Sequence, residues 1–227
     1  MKDRIDQIRH RIYSAALACD RDPGSVTLVA VSKNMPADTI RKAVDAGLRV
    51  FGENYIQEAE KKIDAVADPR LSWHFIGHLQ SNKAKYVVCC FDLIHSVDTL
   101  KLATEIHRQA EKLEKVQDIL VQVNIAGEST KSGVETRNAL TLVEGISRLS
   151  HIRIKGLMTL PPFFDQPEKV RPYFMALSRL REEIQAAGID NVEMTELSMG
   201  MSGDFEAAIA EGATMVRIGT AIFGERL

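Results

Sequence analysis

One lysine at the end of a predicted strand is the first residue of this 227-residue sequence that could do chemistry. Lys33 follows the apolar run from Thr27 to Ser32, which predicts a buried strand, and Asn34 and Pro36 break the pattern before a helix begins. A lysine partly removed from water there would have a lowered pKa and could attack a carbonyl carbon as the free amine. The local sequence alone favours an ordinary solvated lysine at the rim of the sheet.

Two turns rich in small residues could bind an anion. The first, in ELSMGMSGD (196–204), precedes a predicted helix and contains Ser198, Gly200, Ser202 and Gly203. The second, in VRIGT (216–220), contains Gly219 and Thr220. Small residues let backbone N–H groups approach an oxyanion, and a helix N-terminus adds partial positive charge. With Lys33, the two turns predict a pocket for a phosphate-bearing carbonyl compound, although serine and glycine are common in any loop.

Strands and helices alternate along the chain and would position these residues. The first 20 residues predict an amphipathic helix, and eight strands follow, each except the last succeeded by a helix. The strands are predicted at residues 27–32, 48–54, 71–77, 93–97, 118–126, 152–160, 192–200 and 213–224. Strict alternation predicts a parallel sheet, and eight units predict an α/β fold with one (β/α)8 TIM-barrel domain over residues 1–227 and an extra N-terminal helix.

In such a barrel, ligands bind at the C-terminal ends of the strands, and phosphate sites favour the loops after the seventh and eighth strands. Lys33 and both small-residue turns fall at those positions. The alternative, an open doubly wound sheet, is disfavoured because the first turn is not of the Gly-rich dinucleotide type. Pro172 is expected in the first turn of a long helix, and Asp98 is expected to cap another helix.

Several polar residues near the strand ends are less specific. His74 and His78 have a spacing that could suit a metal, but no carboxylate or third histidine accompanies them, so histidines that hydrogen-bond inside the barrel are predicted instead. Four lysines are predicted to lie on solvated helix faces, namely Lys61, Lys62, Lys83 and Lys85.

Bulk composition excludes several classes of protein. A net charge of −2 gives no general attraction to nucleic acid or membranes. No apolar run approaches the roughly 20 residues that span a bilayer, and the N-terminus is too charged for a signal peptide. Three cysteines without metal-ligand spacing, Cys19, Cys89 and Cys90, predict free thiols in a reducing cytoplasm.

Long segments of the chain resemble the pyridoxal phosphate homeostasis proteins (the YggS/PROSC family), whose fold is that of the alanine racemase N-terminal domain. The similar segments run from about residue 26 to the C-terminus. They are VAVSKNMPADTIRKAVDAG, FGENYIQEAEKK, WHFIGHLQSNKAK, HSVD, VNIAGESTKSGV, GLMT and ELSMGMSGDFEAAIAEGATMVRIGTAIFGER.

The resemblance implies that the protein binds pyridoxal 5′-phosphate (PLP). Lys33 would carry the cofactor as a Schiff base, Ser202, Gly219 and Thr220 would hold its phosphate, and the Met201 backbone would lie nearby. The residue types agree with the pocket inferred above for a phosphate-bearing carbonyl compound.

Two further residues are implied to contact the cofactor ring. Asn54 would lie near the ring, and Arg217 would face the pyridine nitrogen. A guanidinium can only donate, so it would favour an unprotonated ring nitrogen and weaken the ring as an electron sink. The alternative for Arg217 is a salt bridge to Glu53 or Glu196 at the barrel mouth.

Three functions remain open at this point. The first is a protein that holds PLP on Lys33 and buffers it or delivers it to PLP-dependent apoenzymes. The second is a low-activity PLP-dependent amino-acid racemase, and the third is a barrel enzyme for a phosphorylated metabolite without a cofactor. The first is favoured, and no robust catalysis is expected. Arg217 weakens the ring as a sink, and the alanine racemase C-terminal domain, which supplies a tyrosine base across a dimer interface, is expected to be absent.

Further expectations concern the tyrosines, the oligomeric state and a second lysine. Tyr55 is retained as a candidate replacement for the missing base, and a monomer is expected because the dimer-forming domain is not expected. Lys131 could offer a second cofactor amine, although an exposed loop lysine is the simpler interpretation.

Overall fold

Eight parallel strands form a closed barrel in the computed structural model, which describes residues 1–128, 130–162 and 164–224. The barrel strands are β1 (Thr27–Val31), β2 (Val50–Glu53), β3 (Ser72–Phe75), β4 (Leu93–Val97), β5 (Gln117–Asn124), β6 (Ile152–Met158), β7 (Val192–Ser198) and β8 (Met215–Ile218). Each pairs in parallel with the next, and β8 pairs with β1. The predicted (β/α)8 barrel is confirmed. A two-residue strand, Val134–Glu135, adds to β5.

The helices cover the outside of the barrel. They are α1 (Lys2–Leu17), α2 (Ala37–Asp45), α3 (Ile56–Val66), α4 (Ala84–Cys90), α5 (Leu100–Lys112), α6 (Thr136–Ser147), α7 (Arg171–Ala186), α8 (Phe205–Ala210) and α9 (Thr220–Phe223). Short 3₁₀ turns occur at Pro23–Ser25, Ser81–Lys83 and Pro167–Lys169. No helix in the described part of the chain is long and apolar enough to cross a membrane.

The eighth strand is shorter than the sequence predicted. It ends at Ile218, and Gly219 then begins the short helix α9, so the expectation that no helix follows this strand is wrong. The run TAIF is apolar, and a run of that length fits a strand and a helix turn equally well. Ile222 is fully buried on α9, and α9 packs against the N-terminal helix α1.

Of the two predictions about helix starts, the one for Pro172 is correct and the one for Asp98 is wrong. Pro172 lies in the first turn of α7, as expected. Asp98 does not cap α5, because the Thr99 hydroxyl accepts from the Leu102 N–H at 3.3 Å instead. The Asp98 carboxylate accepts from the Gly133 N–H at 3.2 Å, which ties the loop after β5 to the end of β4.

The barrel interior consists of an apolar floor beneath a polar layer. The floor is the buried cluster of Val29, Leu93, Leu120, Met158 and Met215. Two residues further along three of those strands come His95, Gln122 and Arg217, which are buried and share the same face because side chains alternate along a strand. The polar layer therefore lies between the floor and the C-terminal mouth.

One contact between neighbouring strands requires glycine. A Cβ at Gly156 in β6 would lie 1.8 Å from the Glu196 carbonyl oxygen in β7. The register between these two strands shifts at the same place, between Ile154 and Gly156. The close approach of the two backbones depends on the missing side chain.

Candidate functional site

A cavity of about 370 Å³ at the C-terminal mouth of the barrel is lined by all seven residues that the family resemblance implies for cofactor binding. Those residues are Lys33, Asn54, Met201, Ser202, Arg217, Gly219 and Thr220. The remaining lining residues are Val31, Ile76, Leu160, Phe164, Gly203 and Asp204. The ends of β1, β2, β7 and β8 thus bring together groups that lie almost 190 residues apart in the sequence.

Lys33 lies in a tight turn between β1 and α2. The strand ends at Val31, so Lys33 stands two residues beyond it rather than directly after it. The Met35 N–H donates to the Ser32 carbonyl at 3.0 Å, and Asn34 has a φ of 63°. Lys33 is half-buried, and the turn places it in the wall of the cavity.

A second lysine close to this turn, Lys62, is buried, contrary to the prediction from the sequence. Lys62 on α3 was predicted to be solvated, yet its side chain is only 6% exposed. Its ammonium donates to the Ser32 carbonyl at 2.6 Å and to Glu53 Oε1 at 2.7 Å. Lys62 is held inside because the fully buried Glu53 carboxyl beneath it needs a cation.

Ser202 and Thr220 meet at one end of the cavity. Their hydroxyl oxygens are 3.2 Å apart, which joins the loop after β7 to the start of α9. The Ile222 N–H makes the first helical bond, to the Gly219 carbonyl at 3.0 Å, so the amides of Thr220 and Ala221 precede the bonded turn. Two hydroxyls and these amides form a cluster of donors of the kind that binds phosphate.

The loop that carries Ser202 is fixed by Asp204 and Gly200. The Met201 N–H donates to Asp204 Oδ1 at 2.6 Å, and burial raises the pKa of that carboxyl. Gly200 has a φ of +91°, and a Cβ there would lie 2.6 Å from the Ala208 Cβ on α8. The loop can therefore approach α8 only with glycine at this position.

Ser198 does not belong to that loop, although the sequence placed it among the small residues of the turn. It ends β7 inside the barrel, fully buried, and its hydroxyl oxygen accepts from Arg217 Nη1 at 2.5 Å. The alternation of side chains along β7 explains the difference, because Ser198 faces the interior while the chain turns two residues later.

Arg217 is buried at the base of the cavity. Its second terminal nitrogen donates to the Thr159 carbonyl at 2.8 Å. Burial lowers the pKa of Arg217 to about 10, and the charge of Asp204 opposes that shift. The side chain is still protonated at neutral pH, so it remains a donor. A salt bridge to Glu53 or Glu196 is not formed, since Glu53 binds Lys62 and Glu196 accepts from the Thr214 hydroxyl.

A hydrogen-bond chain extends from Arg217 across the polar layer. Ser198 Oγ lies 2.9 Å from His95 Nδ1, and His95 Nε2 lies 3.0 Å from His74 Nδ1. Because Arg217 only donates, Ser198 accepts from it, and the Ser198 hydroxyl is free to donate to His95 Nδ1; in that tautomer, His95 Nε2–H donates to His74 Nδ1. Burial lowers the pKa of His74 to about 4 and that of His95 well below its ordinary value, which keeps both rings neutral.

The prediction of hydrogen-bonded interior histidines is therefore correct for His74. His78 is exposed instead, and its Nδ1 lies 3.2 Å from the Ser132 hydroxyl oxygen. In the described residues, no group of three potential ligands is arranged to hold a metal ion.

A second cavity, of about 550 Å³, adjoins the first and shares Asn54 with it. Tyr55 is 59% exposed and lines this second cavity together with Tyr86 and Lys83. Tyr55 is thus not among the residues that line the cavity containing Lys33.

Some residues of the site were not found from the sequence. The sequence placed Asp204 in a turn but did not indicate that its carboxylate accepts from the Met201 N–H. Leu160 and Phe164, in the loop after β6, are apolar and were not predicted to line the cavity. Asp204 directly precedes the predicted helix, and an aspartate at that position often accepts from a nearby backbone N–H, so its role could have been anticipated.

Comparisons with known proteins agree with this geometry. A family model described as the alanine racemase N-terminal domain matches residues 4–227. A relative from Aquifex aeolicus (strain VF5) named pyridoxal phosphate homeostasis protein is 48% identical over 224 residues, which are 99% of this chain and 97% of the relative.

Solved structures extend the comparison. PipY of Synechococcus elongatus PCC7942, solved with PLP bound, has a TM-score of 0.84 at 40% identity and covers 96% of this chain and 100% of its own. Alanine racemase of Clostridium difficile 630 in complex with cycloserine has a TM-score of 0.73 at 13% identity, covering 96% of this chain and 59% of its own, so that the likeness is one of fold. From the family model and the full-length relatives together, the chain belongs to the alanine racemase N-terminal domain family and, within it, to the pyridoxal phosphate homeostasis proteins.

Proposed function

We propose that this protein binds pyridoxal 5′-phosphate as a Schiff base on Lys33 and acts in the homeostasis and delivery of the cofactor inside the cell. The observation that carries the proposal is the joint presence of an amine, a cluster of anion-binding donors and a buried guanidinium in one cavity. The names of the full-length relatives and the PLP-bound PipY structure support it.

The residues present fit this cofactor. A volume of about 370 Å³ lies within the usual range for small-molecule sites. Asn54 Oδ1 is a buried atom that lacks a hydrogen-bond partner among the described residues, and it belongs to a residue that lines the cavity. Ser202, Thr220 and the preceding amides suit a phosphate, and Arg217 suits an acceptor nitrogen of a ring.

Each residue would have a distinct task in holding the cofactor. Lys33 would hold the cofactor through a carbon–nitrogen bond between its amine and the aldehyde carbon, with the aldehyde oxygen released as water. Ser202, Gly219 and Thr220 would bind the phosphate, with the Met201 backbone beside them. Asn54 would support the ring, and Arg217 would donate to its nitrogen.

Arg217 favours storage over catalysis. The bound cofactor supplies an electron sink, which is strongest when the ring nitrogen is protonated. A buried guanidinium that donates to Ser198 and Thr159 keeps its proton and, facing the ring nitrogen, would favour its unprotonated form. A low-activity amino-acid racemase is the alternative, and the racemase-like fold is the observation in its favour.

Absorption and reductive labelling test the proposal. Purified protein incubated with PLP should show the visible band of a Schiff base, and borohydride should fix the cofactor on the peptide that contains Lys33. Lys33→Ala should lose both signals, while Lys131→Ala, a change in an ion-paired loop lysine, should retain them. A full band in Lys33→Ala without labelling of another lysine would refute the assignment of Lys33.

Isotope exchange separates storage from racemisation. Single enantiomers of common amino acids, incubated with the loaded protein in deuterated water, should keep their α-proton if the protein only stores cofactor. Exchange that disappears in Lys33→Ala would refute a purely storing role, and formation of the opposite enantiomer would then establish the racemase. The receiving apoenzymes, a monomeric state and a cytoplasmic location remain predictions.

A further inference from the structure

Lys62 is a buried charge that the proposed cofactor site does not use. Its side chain is 6% exposed, whereas its neighbour on α3, Lys61, is exposed. Removing an ammonium from water is costly unless it is paired and hydrogen-bonded, so its position implies specific partners.

All three donors of the Lys62 ammonium have an acceptor. They are the Ser32 carbonyl at 2.6 Å, Glu53 Oε1 at 2.7 Å and Glu58 Oε1 at 2.5 Å. An ammonium has three N–H groups, so its hydrogen-bonding capacity is used completely. Two of these acceptors come from side chains, and the third is the backbone immediately before Lys33.

The same cluster also binds the backbone immediately after Lys33. Glu58 Oε1 accepts from the Asn34 N–H at 2.5 Å, and the Ser32 hydroxyl donates to Glu53 Oε1 at 2.7 Å. Asn34 has a φ of 63°, a left-handed conformation that is uncommon for a residue other than glycine and persists only when its surroundings hold it. Ser32 and Asn34, on either side of Lys33, are therefore tied to α3.

We propose that Lys62 and Glu58 are positioning residues that fix the turn on both sides of Lys33 and so hold its amine in the cavity. The inference rests on the proposed role of Lys33. It makes α3 the element that sets the position of the reactive amine, although α3 contributes no residue to the cavity wall. Burial raises the pKa of Glu53 and the neighbouring Lys62 ammonium opposes that shift, so the Lys62 ammonium lies between two carboxylates, Glu53 and Glu58.

The test compares Lys62→Met with the matched control Lys61→Met. In cofactor-free protein, amide hydrogen exchange should accelerate at Asn34 in Lys62→Met and remain unchanged in Lys61→Met. When PLP is added, the Schiff-base band should form about 10- to 100-fold more slowly in Lys62→Met, since misplacement by about 1 Å can cost that much in rate.

Two further variants protect the test against simple misfolding. Glu58→Ala removes the acceptor of the Asn34 N–H from a partly exposed side chain and should accelerate the same amide. The double variant Lys62→Met/Glu53→Gln removes both buried charges, so it should regain stability but not the fast reaction with PLP. The proposal would be overturned if a folded Lys62→Met or double variant formed the Schiff-base band at the wild-type rate.

The outcomes also separate this inference from the proposed function. If wild type and Lys61→Met both fail to form the Schiff-base band, the assignment of Lys33 has failed. The amide exchange rate at Asn34 then decides alone whether Lys62 and Glu58 fix the turn. If both form it on Lys33 and Lys62→Met does so equally fast with unchanged exchange at Asn34, the positioning role is wrong while the cofactor site stands.

Discussion

Acidification should destabilise this protein through the two histidines in the barrel interior. Burial lowers the pKa of His74 to about 4 and that of His95 well below its ordinary value near 6.5. Both rings are neutral in the folded state, whereas in the unfolded chain they take up protons as the pH falls below about 6.5. The unfolded state therefore binds more protons in this window, and the free energy of unfolding must fall with the pH.

The size of the effect follows from the number of protons. Each histidine contributes about 1.4 kcal/mol per pH unit between its unfolded and folded pKa values. For His74, with a folded pKa of about 4, the interval from about pH 6.5 to pH 5 gives a loss of about 2 kcal/mol, and His95 adds to this loss in the same direction. Against the roughly 5–15 kcal/mol that stabilises a typical domain, this loss is measurable. For His74 the loss should level off near pH 4, where the folded form is also protonated.

Glu53 and Asp204 act in the opposite direction. Burial raises the pKa of both carboxyls, so the folded state holds their protons more tightly and loses stability as the pH rises through their folded pKa values. They offset part of the histidine effect in the wild-type protein. Comparing the pH dependence of the unfolding free energy between wild type and a histidine variant separates the histidine contribution from that of the two carboxyls.

Urea unfolding at constant ionic strength measures the effect. The chain contains one tryptophan, Trp73, which is buried next to His74 and reports unfolding by fluorescence. His95→Gln should give a clearly smaller pH slope than the wild-type protein, whatever its stability at neutral pH. His10→Gln, at an exposed position on α1, should keep the wild-type slope. A wild-type change below about 1 kcal/mol over this interval, or an unchanged slope in His95→Gln, would refute the assignment of neutral buried histidines.

Three further variants test the site and the barrel. Gly200→Ala should weaken PLP binding at least about tenfold, because its Cβ would meet Ala208 and the backbone has a φ of +91°, whereas Gly145→Ala, on α6 with its nearest neighbouring atom 3.4 Å from the added Cβ, should bind normally; equal affinities in a titration would contradict this account of the loop. Gly156→Ala should lower the free energy of unfolding by about 3 kcal/mol or more, since its Cβ would lie 1.8 Å from a carbonyl oxygen, and an unchanged melting temperature would show that β6 and β7 can separate freely. Arg217→Glu should raise the proton affinity of the ring nitrogen and shift the absorption of bound PLP, and an unshifted spectrum would show that Arg217 does not face the ring.

The architecture could be predicted because each strand–helix unit carries its own signal. Short apolar runs, turn residues and amphipathic helices recur eight times, and closure follows from their number. The end of the chain could not be predicted in the same way. A four-residue apolar segment after Gly219 has no periodicity that separates a strand from a helix. In the structure, Ile222 is buried on α9, and α9 packs against α1, a contact that the local sequence does not reveal.

The side-chain network could not be predicted from composition alone. Lys62 carries the residue type of a solvated helix face, but it stands three residues after the buried Ala59, on the inward side of α3. Its burial depends on Glu53 and the Ser32 carbonyl, which come from strands and turns far away in the sequence. Spacing along α3 was a usable clue, while the identity of the partners needed the three-dimensional structure.

The apolar floor of the barrel gives the hydrogen-bond chain a closed end. The chain starts at Arg217 and runs through Ser198 and His95 to His74, and beneath it lie aliphatic and thioether side chains that neither donate nor accept strongly. Among the described residues, the five side chains of this floor therefore offer the network no strong hydrogen-bond partner. Ser198 and the Thr159 carbonyl instead orient the guanidinium at the end of the network that faces the cavity.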